Sequence, residues 1–306
     1  MRVAVVGCGR MGRERARAAS AFGVETILLF DEDRSRAESL ASECERAFPV
    51  PDLAALIRRG PDAIFVCTPP FCRGSLENRA IDLGIPFFVE KPIGISADQV
   101  RSVLDKLRQH EVLNAVGYMN RYRNSVAHAR AILQPRQIIG ITAHWVGKKY
   151  GVPWWAVREQ SGGPFNEQAT HLMDLFRYLS GITETLHAKA RSSEGIETTV
   201  VVTLRLAGGG FGTFLYSCEG KNKDILISIE TTEGVLDLKG WDLELARNTI
   251  DGSHPEPESQ PIFEKETYAF LQAVSSGDTT LILSDFADAL KTQAAMDGVT
   301  GMISIG

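Results

Sequence analysis

Near the start of the chain, Gly7-Cys8-Gly9-Arg10-Met11-Gly12 sets three glycines in the spacing Gly-x-Gly-x-x-Gly. Such a turn offers phosphate binding: Gly7 permits the turn, Gly9 lets the backbone approach a pyrophosphate, and Gly12 lets helix and strand pack closely. The following helix, with Arg10 and Met11 at its start, would turn unpaired N–H groups and its positive dipole end toward the phosphates. Nineteen residues beyond Gly12 stands Asp31, able to accept hydrogen bonds from an adenosine ribose and to repel a 2′-phosphate. That pattern favours NAD, while Arg34 and Arg36, close behind, keep NADP open. Two other places have side chains suited to moving protons. One is the ammonium of Lys91 in Glu90-Lys91-Pro92. The other is the set Glu167, His171, Asp174 and Tyr178, which recurs at i, i+4, i+7 and i+11 on one stripe of a helix.

The elements that must position these residues alternate. Residues 2–6 are a β-branched run that reads as a buried parallel strand, 13–21 an alanine-rich helix, and 27–30 a second strand ending at Asp31. A helix over 34–46, an edge strand at 48–50 and a helix opening at 52 follow. Next come a strand over 62–67 running into Thr68-Pro69, a helix over 76–83, and a strand over 86–89 ending at Glu90-Lys91-Pro92. A helix over 97–110 and a strand over 113–118 close the series. Strands alternating with helices imply a mostly parallel sheet whose ligands sit beyond the carboxyl ends of its strands, where Thr68 and Lys91 both fall.

Beyond residue 119 the pattern changes. A helix over 123–133, a strand over 138–146 and an irregular aromatic-rich stretch over 148–160 lead to a helix over 167–179. Strands over 186–190, 198–206, 211–217 and 224–230, with shorter pieces at 234–238 and 243–246, suit one antiparallel sheet, and Gly208-Gly209-Gly210 suggests a hairpin. Helices over 265–275 and 284–296 end the chain. At 306 residues and 44% hydrophobic, the chain can bury a large core and approaches the size at which chains divide. A net charge of -5 argues against a broad nucleic-acid surface. No apolar stretch approaches the roughly 18 residues of a membrane span. The five cysteines are scattered, odd in number and without a Cys-x-x-Cys pair. They read as reduced thiols of a cytoplasmic protein, with no metal signature.

The glycine motif, Thr68-Pro69 after the fourth main strand and Glu90-Lys91-Pro92 after the fifth together resemble the glucose–fructose oxidoreductase / inositol dehydrogenase / rhizopine-catabolism family. The family's second signature is a glycine pair, an acidic residue, a histidine four residues on and then an aspartate; Gly162-Gly163, Glu167, His171 and Asp174 match it. The resemblance covers essentially the whole chain. It implies an α/β class: an NAD(P)-binding Rossmann domain over 1–119, then an α+β domain over 120–306 with a large open, mostly antiparallel sheet. It further implies an active site between the domains and a homodimer or homotetramer formed through the second sheet. By position, Lys91 matches the family's catalytic lysine and His171 its catalytic histidine. Two residues depart from the pattern. Arg73 stands where histidine is common, which would alter the nicotinamide side of the pocket, and Glu167 is one methylene longer than the common aspartate.

The implied activity is hydride transfer between a nicotinamide and a secondary alcohol or carbonyl of a sugar, cyclitol or sugar derivative. Lys91 would stabilise the developing alkoxide and His171 would accept the proton; alternatively Lys91, its ammonium pKa lowered by desolvation and by the positive nicotinamide, would itself be the base. Glu167 would orient the imidazole or grip a neighbouring hydroxyl, and Glu90 would hold Lys91 or its turn. Trp154, with Tyr150, Trp155 and Arg158, would suit the C–H face and hydroxyls of a sugar; equally, the tryptophans would close the core. Arg121 would bind a hydroxyl or carboxylate, or form an interdomain salt bridge. Glu167-x-x-x-His171 is also half a metal site, but no third ligand stands at a recognised spacing, so no metal is expected. Two alternatives stand beside this reading: a reductase of a different carbonyl or imine, and a non-catalytic dinucleotide sensor, for which the Lys91–Glu167–His171 set would have no use.

Overall fold

The computed structural model describes residues 1–303, apart from the side chain of Thr183, and divides into two compact units. The first comprises Met1–Gly94, Asp98–Met119 and Gln260–Ala289; the second comprises Ile95–Ala97, Asn120–Ser259 and the chain from Leu290 on. A single cut after residue 119 does not describe this arrangement, because Gln260–Ala289 returns to the first unit. Phe270 and Leu271 of that segment lie in the same core as Val3, Val5 and Phe65.

The first unit holds six strands: β1 (Arg2–Val6), β2 (Thr26–Phe30), β3 (Ala47–Pro49), β4 (Ala63–Val66), β5 (Phe87–Val89) and β6 (Asn114–Val116). All pair in parallel, in the order β3-β2-β1-β4-β5-β6. The order reverses beside β1, so the crevice outside the carboxyl ends of β1 and β4 is where this topology takes a ligand. Helices α1 (Arg10–Phe22), α2 (Arg34–Glu43), α3 (Leu53–Arg58), α4 (Ser75–Asp82) and α5 (Ala97–Leu107) link the strands. β1 is buried along its whole length after Arg2, as a strand covered on both faces must be. On α1 the buried residues include Gly12, Arg15, Ala16 and Ala19, at i, i+3, i+4 and i+7. One member of that apolar stripe is therefore an arginine.

In the second unit, α6 (Asn124–Leu133), α7 (Arg158–Ser161) and α8 (Pro164–Ser180) accompany seven strands. These are β7 (Ile138–Lys148), β8 (Ile182–Ser193), β9 (Ile196–Leu206), β10 (Phe211–Ser217), β11 (Glu219–Thr231), β12 (Val235–Lys239) and β13 (Glu244–Asn248). Their order is β13-β12-β11-β7-β10-β9-β8, antiparallel throughout except for the parallel β7–β10 pair. α8 packs on one face of this sheet, where Ile141, Val202, Phe214 and Ile227 alternate inward. On the other face Val201 and Phe211 stand exposed. Two last helices close the chain: α9 (Ile262–Ser276), in the first unit, and α10 (Phe286–Met302).

Candidate active site

The glycine turn leads from β1 into α1. A Cβ on Gly12 would collide with the Gly7 carbonyl, so this crossing of helix over strand admits no side chain. Gly9 occupies the N-cap of α1 with no side-chain acceptor, which leaves the first N–H groups of the helix to a ligand. Asp31, at the end of β2, is fixed from both sides: Oδ2 accepts from the Cys8 N–H at 2.7 Å and Oδ1 from the Asp33 N–H at 2.9 Å. Each oxygen retains a lone pair for a hydroxyl. Burial, with Asp31 nearby, pushes the Cys8 thiol up to about 12, so it stays protonated beside the turn. Arg34 pairs with Glu38 at 2.7 Å and Arg36 with Asp33 at 3.4 Å, so both arginines that left NADP open have carboxylate partners.

A cavity of about 920 Å³ opens here, lined among others by Gly7, Phe30, Asp31, Leu53, Thr68 and Pro69. Its volume, its mixed lining and the open helix end fit a dinucleotide, whose ribose would meet Asp31 and whose pyrophosphate would meet the Gly7–Gly12 turn. Gly9 and Arg10 line a smaller hollow alongside, and Met11 is half-buried in the first turn of α1.

Lys91 follows β5, half-buried, and its peptide bond to Pro92 is cis. Glu90 is buried, and its Oε1 accepts from Arg15 Nε at 2.7 Å. Burial by itself would lower the Arg15 pKa; Glu90 and Glu266 reverse this and raise it, so the guanidinium is firmly charged. Arg73 is buried too, with its Nη1 on Thr68 Oγ1 at 3.2 Å. It acts as a brace under the strand ends rather than as an open lining residue.

In the second unit, α8 carries Glu167, His171 and Asp174, all buried. The helix can start where it does because Gly163 adopts φ 97°, and a Cβ there would strike the buried Glu197 carboxylate. Glu197 Oε1 accepts from the Phe165 N–H at 3.3 Å, and its other oxygen pairs with Arg158. Burial raises the Glu197 pKa, against the opposing pull of Arg158 and the backbone N–H groups. Glu167 Oε2 accepts from Trp155 Nε1 at 3.0 Å. The His171 ring stacks on Trp145 of β7, 5.4 Å between centroids and 9° from parallel. Asp174 is fixed by Arg121, Nε to Oδ2 at 2.9 Å and Nη2 to Oδ1 at 2.5 Å, and by Thr292 Oγ1 at 3.1 Å. Arg121 thus forms its salt bridge within the second unit. Trp155 is buried and Trp154 half-buried, so the tryptophan that reaches Glu167 is the second of the pair. Sequence reading singles out neither Trp145 nor Arg15. The available signal for Arg15 was its place on the apolar face of α1; for Trp145, the inward parity it shares with Ile141.

Among the described residues no three His, Cys, Asp or Glu side chains group closely enough to hold a metal, and no helix is long and apolar enough to cross a membrane.

A parallel sheet in this order, with a glycine turn after its first strand, defines a Rossmann domain. Residues 1–118 match the family model described as "Oxidoreductase family, NAD-binding Rossmann fold", and residues 126–237 match the GFO/IDH/MocA C-terminal domain. The chain belongs to the Gfo/Idh/MocA oxidoreductase family. It is 30% identical over 186 residues to the myo-inositol dehydrogenase Hyg17 of Streptomyces leeuwenhoekii, covering 59% of this chain and 56% of that protein. It is 29% identical over 186 residues to the scyllo-inositol 2-dehydrogenase (NAD(+)) of Bacillus subtilis (strain 168), covering 59% and 54%. These matches span about half the length of the two relatives. Among solved structures, the UDP-N-acetylglucosamine 3-dehydrogenase GnnA from Acidithiobacillus ferrooxidans shares the fold with a TM-score of 0.86 at 17% identity, over 99% of this chain and 97% of that one.

Proposed function

We propose that the protein is an NAD-dependent dehydrogenase acting on a secondary alcohol of a cyclitol, a sugar or a sugar derivative. The observation that carries this reading is the Glu90-Lys91-Pro92 turn at the carboxyl end of β5, in a domain whose cavity and Asp31 suit NAD. Bound NAD+ supplies the acceptor for the carbinol hydride. The rest falls to the chain's own groups. The Lys91 ammonium donates a hydrogen bond to the substrate oxygen and stabilises the negative charge that grows there. The neutral His171 imidazole takes the hydroxyl proton, so the alcohol loses a hydride and a proton and becomes a carbonyl. Stacking on Trp145 limits the rotation of that ring. Glu167, held by Trp155, grips a neighbouring hydroxyl, and the half-buried Trp154, adjacent in sequence, is assigned to the C–H face of the ring. Arg121 is assigned to supporting Asp174 and not to the substrate, because its fork is engaged on that carboxylate.

The names of the relatives support a cyclitol or sugar substrate. The exposed Val201 and Phe211 support pairing with a second copy through the outer face of the second sheet, as a homodimer or homotetramer. The five unpaired thiols support a reducing compartment, the cytoplasm. A panel of inositols, aldoses, uronates and nucleotide sugars, each with NAD and with NADP, tests the reading by the absorbance of reduced nicotinamide. Turnover with at least one cyclitol or sugar, faster with NAD, is the expected result; none across the panel contradicts it.

A further inference from the structure

Glu90, the residue before Lys91, is gripped at both of its polar ends by buried guanidinium groups. On the main-chain side, Arg73 Nη2 donates to the Glu90 carbonyl at 3.0 Å, while Nη1 donates to the Val66 carbonyl at 2.8 Å and to Thr68 Oγ1 at 3.2 Å. One planar group therefore ties together the carboxyl ends of β4 and β5, the ends that carry Thr68 and Lys91. On the side-chain side, Arg15 Nε donates to Glu90 Oε1 at 2.7 Å. The rest of that fork goes to α9: Nη2 to Glu266 Oε2 at 2.5 Å and Nη1 to Thr267 Oγ1 at 3.0 Å. The guanidinium also lies over the Phe88 ring, 4.3 Å from its centroid. Arg15 and Glu266 are 0% exposed, Glu90 4% and Arg73 6%.

Removing ions from water is costly, and apolar packing of the same volume often gives equal or greater stability. What apolar packing does not give is direction. Two rigid forks aimed at one residue fix its backbone and side chain together. The next residue along that backbone is Lys91, whose proposed role depends on where its ammonium stands. A misplacement of about 1 Å can cost a reaction roughly 100-fold.

We infer that Arg73 and Arg15 are positioning residues that clamp Glu90 from its two ends and thereby fix the Lys91 ammonium. The inference rests on the proposed role of Lys91 for its purpose, though not for its geometry. It gives the buried Arg73 a role suited to its fork, since one guanidinium reaches two carbonyls and a hydroxyl at once. It also accounts for the return of α9 to the first unit, where Glu266 and Thr267 hold the far side of the Arg15 fork.

The test needs no substrate. Reductive methylation with 13C-formaldehyde gives each lysine a dimethylamino NMR resonance, and Lys91→Arg identifies that of Lys91 by its loss. In the NAD complex the Lys91 resonance should stand apart from those of exposed lysines. Arg73→Met and Glu266→Gln should move it toward them, and Arg73→Lys, which keeps the charge but not the fork, should fall between. A Lys91 resonance unmoved in these variants, once folding is confirmed by thermal melting, overturns the clamp. Should Arg73→Met not fold, Glu266→Gln and Arg73→Lys decide in the same way. On the best alcohol of the panel, Arg73→Lys should lower kcat roughly 10- to 100-fold with KM for NAD within about twofold, and should add no loss to Lys91→Ala. Losses that multiply in the double variant contradict the clamp. Undiminished turnover in Lys91→Ala contradicts instead the role of Lys91, and the NMR result still judges the geometry.

Discussion

At the scale of single residues, the groups proposed for chemistry are each fixed by a neighbour of a different kind. The His171 ring is set by the flat face of Trp145, and the Glu167 carboxylate by an indole N–H. A base that must be neutral to accept a proton gives an oxidation rate that rises with pH. Replacing His171 with asparagine should therefore lower kcat/KM and remove that rising limb; a limb unchanged in the variant would take His171 out of the base role. The cavity of the first unit is open to a simpler probe. Cys72 is exposed and lines it, whereas Cys8, Cys44 and Cys218 are buried. A maleimide should label Cys72 fastest, and saturating NAD should slow that labelling. Labelling that ignores NAD would place the dinucleotide elsewhere.

At the scale of elements, α4 and α8 show how buried carboxylates are used to start helices. Glu77 Oε2 accepts from the Gly74 N–H at 2.7 Å at the head of α4, and burial raises its pKa despite the nearby Arg73. A carboxyl whose folded pKa is raised favours the fold most while protonated, and that contribution is lost as pH rises through the raised value. Glu77→Gln should thus gain stability relative to the native chain as pH rises above the ordinary carboxylate range, read by urea unfolding at a series of pH values. A constant difference would show that Glu77 does not titrate. For α8, Gly163→Ala meets both the left-handed backbone and the Glu197 carboxylate, and should lower stability by roughly 1–3 kcal/mol with a lower Tm.

Periodicity made most of these elements legible. The parallel alternation through residue 118 and the strands of the second sheet follow from β-branched runs and glycine breaks, which act locally. β8 and β11 run longer than their apolar cores, at Ile182–Ser193 and Glu219–Thr231, because ladder pairing carries polar residues such as Lys189 and Asp224 along with them. The candidate site was legible where a spacing carries meaning, as in the glycine turn and the Glu167–His171 pair on one helix. It was not legible where partners come from distant stretches. Arg15 finds Glu90 and Glu266, and Glu197 reaches the start of α8, only once the sheets have formed.

At the scale of the whole molecule, the chain crosses from the first unit to the second and then sends Gln260–Ala289 back. Ending the chain after Ser259 should leave the first unit without Phe270, Leu271 and the Glu266 partner of Arg15, and such a truncation should not give a cooperative melt. The open face of the second sheet carries the proposed assembly. Phe211→Glu, placing a charge where 52% of a phenylalanine is exposed, should shift light scattering from oligomer to monomer. An unchanged mass would move the interface elsewhere. The central claim, that this fold carries out hydride transfer at Lys91, is tested most directly by pairing turnover with NAD binding in Lys91→Ala. Turnover of the best cyclitol or sugar should fall by about 100-fold or more, with NAD affinity within about threefold of the native chain. Near-native turnover in that variant would contradict the claim.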